Sequence, residues 1–379
     1  MDCRFEDRLA GRALRLDGFC DRIEARAAAE VAPALAAIDA AQREGRWIAL
    51  LLDYELGEWL LPEATRPAPA GPWTPPRDDG RPRLTALVFD RKIDEAPWDA
   101  PDADAPTASI SSLPVPRMTE PAYVRQIDAI RGLIRDGELY QVNFTQPLDV
   151  GFQGDPATLY RRIAARNPVA HAAYIRDGDR TVLSFSPELF VRREGARLTT
   201  RPMKGTAPRH ADPAEDERLG QELLASDKNR AENLMIVDLL RNDLGRLAEP
   251  GSVKVDALFS LERYPTVWTM TSTVSATAPH ATLSDVLHAL FPCGSITGAP
   301  KVAAMRRIRQ METAPRGLYC GSIGWLAPDG DFSLNVAIRT LVLNQQGHGV
   351  YSVGGGIVHD SDPASEWQEC HWKARILRA

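Results

Sequence analysis

Lys204, in the stretch Arg201-Pro202-Met203-Lys204-Gly205-Thr206, is the residue on which the chemistry of this sequence turns. Pro202 followed by Lys-Gly reads as extended backbone entering a tight turn, and Ala196 to Thr199 before it alternates apolar and polar as a strand does. A lysine where a strand runs out into a glycine turn can reach into a cleft and attack a substrate if its amine is neutral. On these six residues alone the default is a solvated loop lysine. Other residues give it a setting. Asn229 with Glu232, and Glu366 with Glu369, stand three apart in helical segments, so each pair projects from one helix face. Carboxylates without histidine or cysteine suit a hard cation, and magnesium takes one or two of them together with waters and substrate oxygens. Either pair by itself also reads as a solvated helix face. Arg339, Lys373, Tyr319 and two glycine-rich turns are groups suited to holding carboxylates. A cation plus several carboxylate clamps implies a small polyanionic substrate, for which Lys204 supplies a nucleophile or base and Glu188 a proton donor.

The elements that must position these groups follow from periodicity. An Ala-rich segment from Asp21 to Arg43 predicts a helix, and Trp47 to Tyr54 a buried strand. Arg83 to Asp90 predicts another strand between two loops rich in proline, Pro62 to Pro76 and Asp94 to Pro116. Tyr123, Ile127, Ile130 and Ile134 recur at helical spacing after Pro121, and Gly137 ends that helix. The strand Leu139 to Gln146 then places Tyr140, Val142 and Phe144 on one face and Gln141, Asn143 and Thr145 on the other. A wholly polar face there is solvent-facing by default, or else the floor of a polar site. Further strands are expected at Thr181 to Ser186 and Val267 to Val274, with one long helix from Ala214 to Leu240 between them. A helix Ser284 to Phe291 carries His288 off its apolar stripe, which suits a surface or supporting role. The run Cys293 to Lys301 feeds glycines and hydroxyls, Ser295 among them, into a helix over Val302 to Met311; it is a helix cap or an anion site built from free N–H groups. A hairpin turning at Asp329-Gly330 and a last helix carrying Glu366, Glu369 and Lys373 complete the chain.

Composition sets the bounds. The 379 residues are 44% hydrophobic and 25% charged, as in a globular protein, with no apolar run long enough for a membrane-spanning helix. A net charge of −6 without a basic block argues against nucleic acid. The five cysteines are scattered without CxxC spacing, so neither a zinc site nor a disulfide framework is expected, and a reducing cytoplasm fits best. A boundary near Pro116 separates a short N-terminal region, 1–115, contributing strands and a helix, from a catalytic domain, 116–379.

From about Thr119 onward the chain resembles the chorismate-utilising enzymes, which include anthranilate synthases, aminodeoxychorismate synthases and isochorismate/salicylate synthases. The residues carrying the resemblance are Gln141-Val142-Asn143, Ser186-Pro187-Glu188, Pro202 to Thr206, Glu232 to Leu239 with Arg241-Asn242-Asp243, Gly294 to Lys301, Ile338-Arg339-Thr340, and Gly354 to Val358 through Glu369. The resemblance implies an α+β fold in which two large antiparallel sheets pack face to face with helices outside, and no Rossmann domain. It implies a chorismate site with Mg²⁺ held by Glu232 and Glu369, and by Glu366 through water. Lys204 would be the nucleophile and Glu188 the general acid. Tyr319 and Arg339 would hold the enolpyruvyl carboxylate, and backbone near Gly205, Thr206, Ser295, Gly355 and Gly356 would complete the clamp. Lys373 would lie close to the metal-side carboxylate, and Gln141 and His288 would belong to the substrate's surroundings.

Two positions imply the branch within the family. Isochorismate-type relatives carry a lysine where this chain has Gln141 and use it to activate water; anthranilate synthases have a small residue where it has Lys204. The pair therefore points to the branch leading to para-aminobenzoate and folate, in which ammonia replaces the C4 hydroxyl. The nearest alternatives are an anthranilate synthase component and a catalytically silent binding subunit. No Gly-x-Cys-x-Gly turn is present, so ammonia is expected from a separate glutamine amidotransferase partner, and no amidotransferase or lyase domain is expected to be fused. Asn229 stands where some relatives carry a glutamate, and no Leu-Leu-Glu-Ser-like segment marks a tryptophan site.

Overall fold

Residues that alternate along a strand must find two different environments, and here both faces of most strands are buried. In the computed structural model, which describes residues 1–66, 80–102, 105–112, 114–264 and 267–378, every strand pairing is antiparallel. One layer runs from Lys254–Arg263 through Val267–Thr277, Arg197–Arg201, Leu189–Glu194, Phe332–Val336, Ser322–Leu326, Trp47–Leu52 and Leu84–Glu95 to Arg12–Ala25. The other runs from Asp2–Asp7 through His171–Asp177, Arg180–Ser186, Thr340–Asn344 and His348–Ile357 to Gln141–Gly154. Pairing of Asp2–Asp7 with Arg12–Ala25 joins the two layers into a single ribbon.

The two-residue period sorts the side chains. Ala49, Leu51, Leu87, Phe89 and Ile323 of the first layer meet Ala173, Ile175 and Val182 of the second in one apolar cluster between the layers. Their neighbours Leu50, Leu52, Val88, Leu183 and Phe185 point the other way, into the core beneath the helices. There Val31, Leu35 and Ile38 of the helix Ala28–Arg43, and Tyr123, Ile127 and Ile130 of the helix Glu120–Arg135, are buried. The α+β architecture of face-to-face antiparallel layers with helices outside is thus present. No helix among the described residues is long and apolar enough to cross a membrane, and all five cysteines are unpaired.

The polar face of Gln141–Gly154 overturns its solvent-facing default: Gln141, Asn143 and Thr145 are only 0%, 7% and 4% exposed. Burying such a face requires partners within the protein. Glu312 accepts from the Thr145 backbone N–H and hydroxyl, both at 2.9 Å. Arg316 is held by Glu312 at 2.7 Å and donates to the carbonyls of Asn143 and Ile296 at 2.6 and 2.8 Å, with its guanidinium 4.4 Å from the centre of the Tyr54 ring. Glu55 in turn accepts the backbone N–H groups of Arg316 and Gly317 at 2.7 and 3.0 Å. Burial, aided by the charge of Asp53, pushes the Glu55 carboxyl up to about 7.

Several boundaries differ from the sequence reading for identifiable reasons. Asp21 to Ala25 belong to the long strand Arg12–Ala25, and the helix starts only at Ala28, because pairing with Leu84–Glu95 overrides the alanine-rich local preference. The long helix breaks into Pro213–Ala225 and Asp227–Gly245 at Ser226, whose hydroxyl accepts the Asn229 N–H and so caps the second piece. The first proline-rich loop lies largely outside the described residues, while the segment Asp94 to Pro116 includes the short strands Ala108–Ile110 and Val115–Pro116.

Arg316 and Glu312 form a buried pair, 1% and 4% exposed at their side chains. Removing one partner leaves an uncompensated charge beneath the polar face. Arg316→Leu is expected to lower the unfolding free energy by about 3–5 kcal/mol, measured by urea titration followed by tryptophan fluorescence.

Candidate active site

The tight turn expected after Lys204 is a bulge instead. Met203–Pro208 is a short strand paired with Val267–Thr277, and its register breaks between Met203 and Thr206. Gly205 sits in the break with φ +86°, and a Cβ there would lie 3.1 Å from both Asn229 and Leu223. Only glycine lets the strand twist while the capped helix lies this close. The bulge turns Lys204 into a cleft of about 360 Å³ that is also lined by Glu188, Glu232, Ser295, Arg339 and Glu369.

The first wall carries a buried lysine and a buried glutamate. The Lys204 ammonium donates to the Ser295 carbonyl at 3.0 Å, while the Ser295 hydroxyl donates to Glu188 at 2.7 Å. One residue therefore positions both partners. Burial pushes the Lys204 amine below the ordinary lysine range, against the opposing pull of Glu232 and Glu188. Burial pushes the Glu188 carboxyl up, against its bond from Ser295 and the charge of Lys204. A low-dielectric cleft thus favours the neutral amine and the protonated acid together, the state in which one can attack and the other can donate.

Opposite stand the helices Asp227–Gly245 and Pro363–Lys373, which bring Glu232, Glu366 and Glu369 to the same cleft. Burial raises the carboxyls of Glu232 and Glu366, and in each the charge of Glu369 adds to the rise. Glu369 also loses solvation, but Lys373 at 2.6 Å together with the charges of Lys204 and Lys228 holds its carboxyl low. Among the described residues no three acidic, histidine or cysteine groups converge into a ready-made metal cage. The donor set still fits a hard cation that completes its shell with water and substrate oxygens, and a positive charge would relieve the crowding of the three carboxylates. Asn229 reaches the cleft too, but its amide is engaged with the Ser226 hydroxyl at 3.0 Å.

The floor is the strand His348–Ile357 lying on Gln141–Gly154. A Cβ on Gly356 would stand 2.3 Å from the Gln141 amide nitrogen and 3.3 Å from the Lys204 amine; one on Gly355 would stand 2.9 Å from Glu366. These glycines are close-approach positions that no side chain can share. Gln141 lies under the floor beside Gly356, fully buried, and neither atom of its amide has a hydrogen-bond partner. Tyr319, Thr206 and Lys373 line the cleft, and Lys373 donates to the Gly354 carbonyl at 2.5 Å. Arg339 adopts a left-handed backbone, φ 50°, between two strands, an uncommon conformation for an arginine that concentrates at functional positions.

One candidate is corrected. His288 does not belong with the substrate's surroundings: it is exposed on the helix Leu283–Leu290 and bonds to the Ser284 carbonyl of its own helix at 2.8 Å. The nearby Lys301, at the end of the glycine loop, is committed to Asp243 at 2.6 Å rather than offered to an anion. Sequence reasoning also missed Lys228, which lines the cleft one helical turn before Glu232; that spacing was the available signal.

Because both bonds to the Glu188 carboxyl fall on one oxygen, from the Ser295 hydroxyl and more weakly from the Met203 N–H, glutamine can keep them. A carboxyl raised by folding costs stability once pH climbs above its unfolded value near 4.5, and the cost vanishes below it. Glu188→Gln is therefore expected to have a higher urea midpoint than the parent at pH 8. The difference should shrink as pH falls toward 4.5, as a series of unfolding titrations would show.

Comparison with known proteins places this geometry. Residues 5–379 match the chorismate binding enzyme family. Aminodeoxychorismate synthase component 1 of Klebsiella aerogenes is 45% identical over 275 residues, 72% of this chain and 61% of the relative. Anthranilate synthase component 1 of Streptomyces coelicolor is 38% identical over 308 residues, 79% of this chain and 60% of the relative. The chain thus spans about three fifths of the length of these curated relatives. Among solved structures, anthranilate synthase component I from Streptococcus pneumoniae superposes with a TM-score of 0.74 at 28% identity, covering 88% of this chain and 80% of that one. The menaquinone-specific isochorismate synthase of Escherichia coli has the same fold, with a TM-score of 0.77 at 20% identity over 100% of this chain and 87% of its own.

Proposed function

The chain belongs to the chorismate binding enzyme family, and on that premise we propose that it acts as an aminodeoxychorismate synthase component, converting chorismate and ammonia to 4-amino-4-deoxychorismate. The observation carrying this reading is Lys204: a lysine amine kept low by burial, 3.0 Å from the Ser295 carbonyl, in one cleft with a raised Glu188 and three further carboxylates. The relatives at 45% and 43% identity named for this activity, from Klebsiella aerogenes and Escherichia coli, support it.

Glu232, Glu366 and Glu369 would hold Mg²⁺ and, with it, the ring carboxylate of the substrate. When bound, the cation supplies Lewis-acid withdrawal of electron density from the ring. Arg339 and Tyr319 would hold the enolpyruvyl carboxylate, and the glycine floor would fix the ring's height over Lys204. The neutral Lys204 amine forms a bond to C2; the two ring double bonds shift, and the C4–O bond breaks. Glu188 gives its proton to the departing oxygen, which leaves as water, and as a carboxylate it can take up the proton shed by the alkylated amine. Ammonia then forms a bond to C4, the double bonds shift back, and the bond between C2 and Lys204 breaks as the amine regains a proton from the added nitrogen. The nitrogen ends on the carbon that carried the hydroxyl. In this reading a glutamine amidotransferase partner supplies the ammonia, and the product feeds para-aminobenzoate and folate synthesis.

Chorismate, Mg²⁺ and an ammonium salt added to the purified chain should give aminodeoxychorismate by liquid chromatography. Direct appearance of fluorescent anthranilate would instead assign it to the anthranilate branch. Lys204→Ala should lose at least a hundredfold in rate, roughly 2.7 kcal/mol of transition-state stabilisation. Protein quenched with chorismate before ammonium is added should carry a mass increase that maps to Lys204; a Lys204→Ala variant of undiminished rate would contradict the covalent route.

A further inference from the structure

Ser295 touches both Lys204 and Glu188, and a third group stands behind it. This is Cys293, whose Sγ lies 3.3 Å from the Ser295 hydroxyl oxygen. Thiol, hydroxyl and carboxyl form a buried row of three. The loop that carries the first two is pinned on several sides. The Thr297 hydroxyl bonds to the Cys293 and Gly294 carbonyls at 3.0 and 3.2 Å, and Arg316 donates to the Ile296 carbonyl at 2.8 Å. Gly294 packs so closely on Leu239 that no Cβ would fit between them. The separation of sulfur and hydroxyl is thus set by the fold.

The row has one proton for each contact, and so a definite direction. A hydroxyl carries a single proton, and that of Ser295 goes to Glu188 Oε1 at 2.7 Å, the shorter contact. The 3.3 Å contact is then a bond only if the thiol donates. The thiol has its proton to give, because burial, and after it the charge of Glu188, pushes it up to about 12. Oε1 also takes the Met203 N–H at 3.4 Å, while Oε2 takes no hydrogen bond from the described residues. If the Ser295 hydroxyl turned toward the sulfur instead, Oε1 could carry the Glu188 proton and donate it to Ser295. A proton held there points into the loop, away from any substrate. An S–H donor is weak, so its effect is a bias between these two arrangements.

We propose that Cys293 is a positioning residue: its thiol holds the Ser295 hydroxyl on Oε1 of Glu188 and so keeps the acid's proton on Oε2, from which it passes to the departing C4 oxygen. Neither the thiol proton nor the hydroxyl proton is transferred. This rests on the synthase reading above, in which Glu188 is the general acid. The charges facing Glu188 are Lys204 on the bulged strand and Arg339 between its two strands, with the thiols of Cys293 and Cys320 also near; Lys301 faces the Cys293 thiol. A substitution at Cys293 leaves all of these charges in place.

Cys293→Ala and Cys293→Ser leave nearly the same space, and only serine keeps a donor. A role in packing alone would make the two variants alike. For each, the rate of Lys204 adduct formation with chorismate and Mg²⁺, before ammonium is added, is followed against pH. In Cys293→Ala the plateau is expected to fall about threefold, the bias one weak S–H donor supplies, with half-saturation by chorismate within twofold of the parent. Its alkaline limb, where Glu188 loses its proton, should move up by about half a pH unit. Without the thiol, Ser295 donates less strongly to the carboxylate and accepts from the acid, and both changes favour the protonated form. Cys293→Ser should return plateau and limb to the parental values. Equal losses in the two variants, or an unmoved limb in Cys293→Ala, overturn the positioning role. The infrared difference between parent and Cys293→Ala isolates the Cys293 S–H stretch and needs no turnover; Cys293→Ser serves for the subtraction if the alanine variant does not fold. A band below the frequency of a free thiol is expected, and a free-thiol band overturns the donor assignment. A parent chain that forms no adduct overturns instead the synthase reading on which the role rests.

Discussion

A strand with a polar face ends the second layer, and a buried polar network is built against it. Asn143 and Thr145 are supplied by Arg316 and Glu312, and those by Glu55 and the ring of Tyr54. In a low-dielectric interior such a network is valuable only when complete. It closes at Thr145 and at the Asn143 carbonyl, whereas the Tyr54 hydroxyl and the Gln146 amide find no partner, and neither does the Gln141 amide. That opening lies beneath Gly356, next to Lys204. One unfinished place in the network is thus at the floor of the cleft.

The cleft itself combines two opposite uses of burial. On one side, desolvation moves a lysine and a glutamate toward their neutral forms, with Ser295 bonded to both. On the other, three carboxylates are brought close enough for Glu369 to raise its neighbours, which makes that wall receptive to positive charge. Neither wall is at its stability optimum, as is usual where strained or uncompensated groups serve a reaction.

Short-range signals in the sequence, together with the family resemblance, located most of this. Every functional candidate except His288 lies in or directly under the cleft, because the motifs carrying them are strand ends, helix faces and glycine turns whose geometry is local. What could not be read was long-range. The Thr145 hydroxyl and the Asn143 carbonyl find their partners in Glu312 and Arg316, some 170 residues further on, and alternation alone cannot tell water from such partners. Local preference also misled where tertiary pairing decided the outcome, as at Asp21 to Ala25. The helix break at Ser226 was legible in principle, since serine caps are a sequence signal, but the charged run on either side concealed it.

The bulge at Gly205 has one more implication. Because the register slips between Met203 and Thr206, Lys204 is decoupled from the strict up-and-down order of its sheet. Its amine is held by the Ser295 carbonyl at 3.0 Å. A side chain in place of Gly205 would press on Asn229 and Leu223 at a positive φ and so disturb the bulge that carries Lys204. Orientation of the amine is therefore inherited from one residue's freedom rather than from the sheet that carries it.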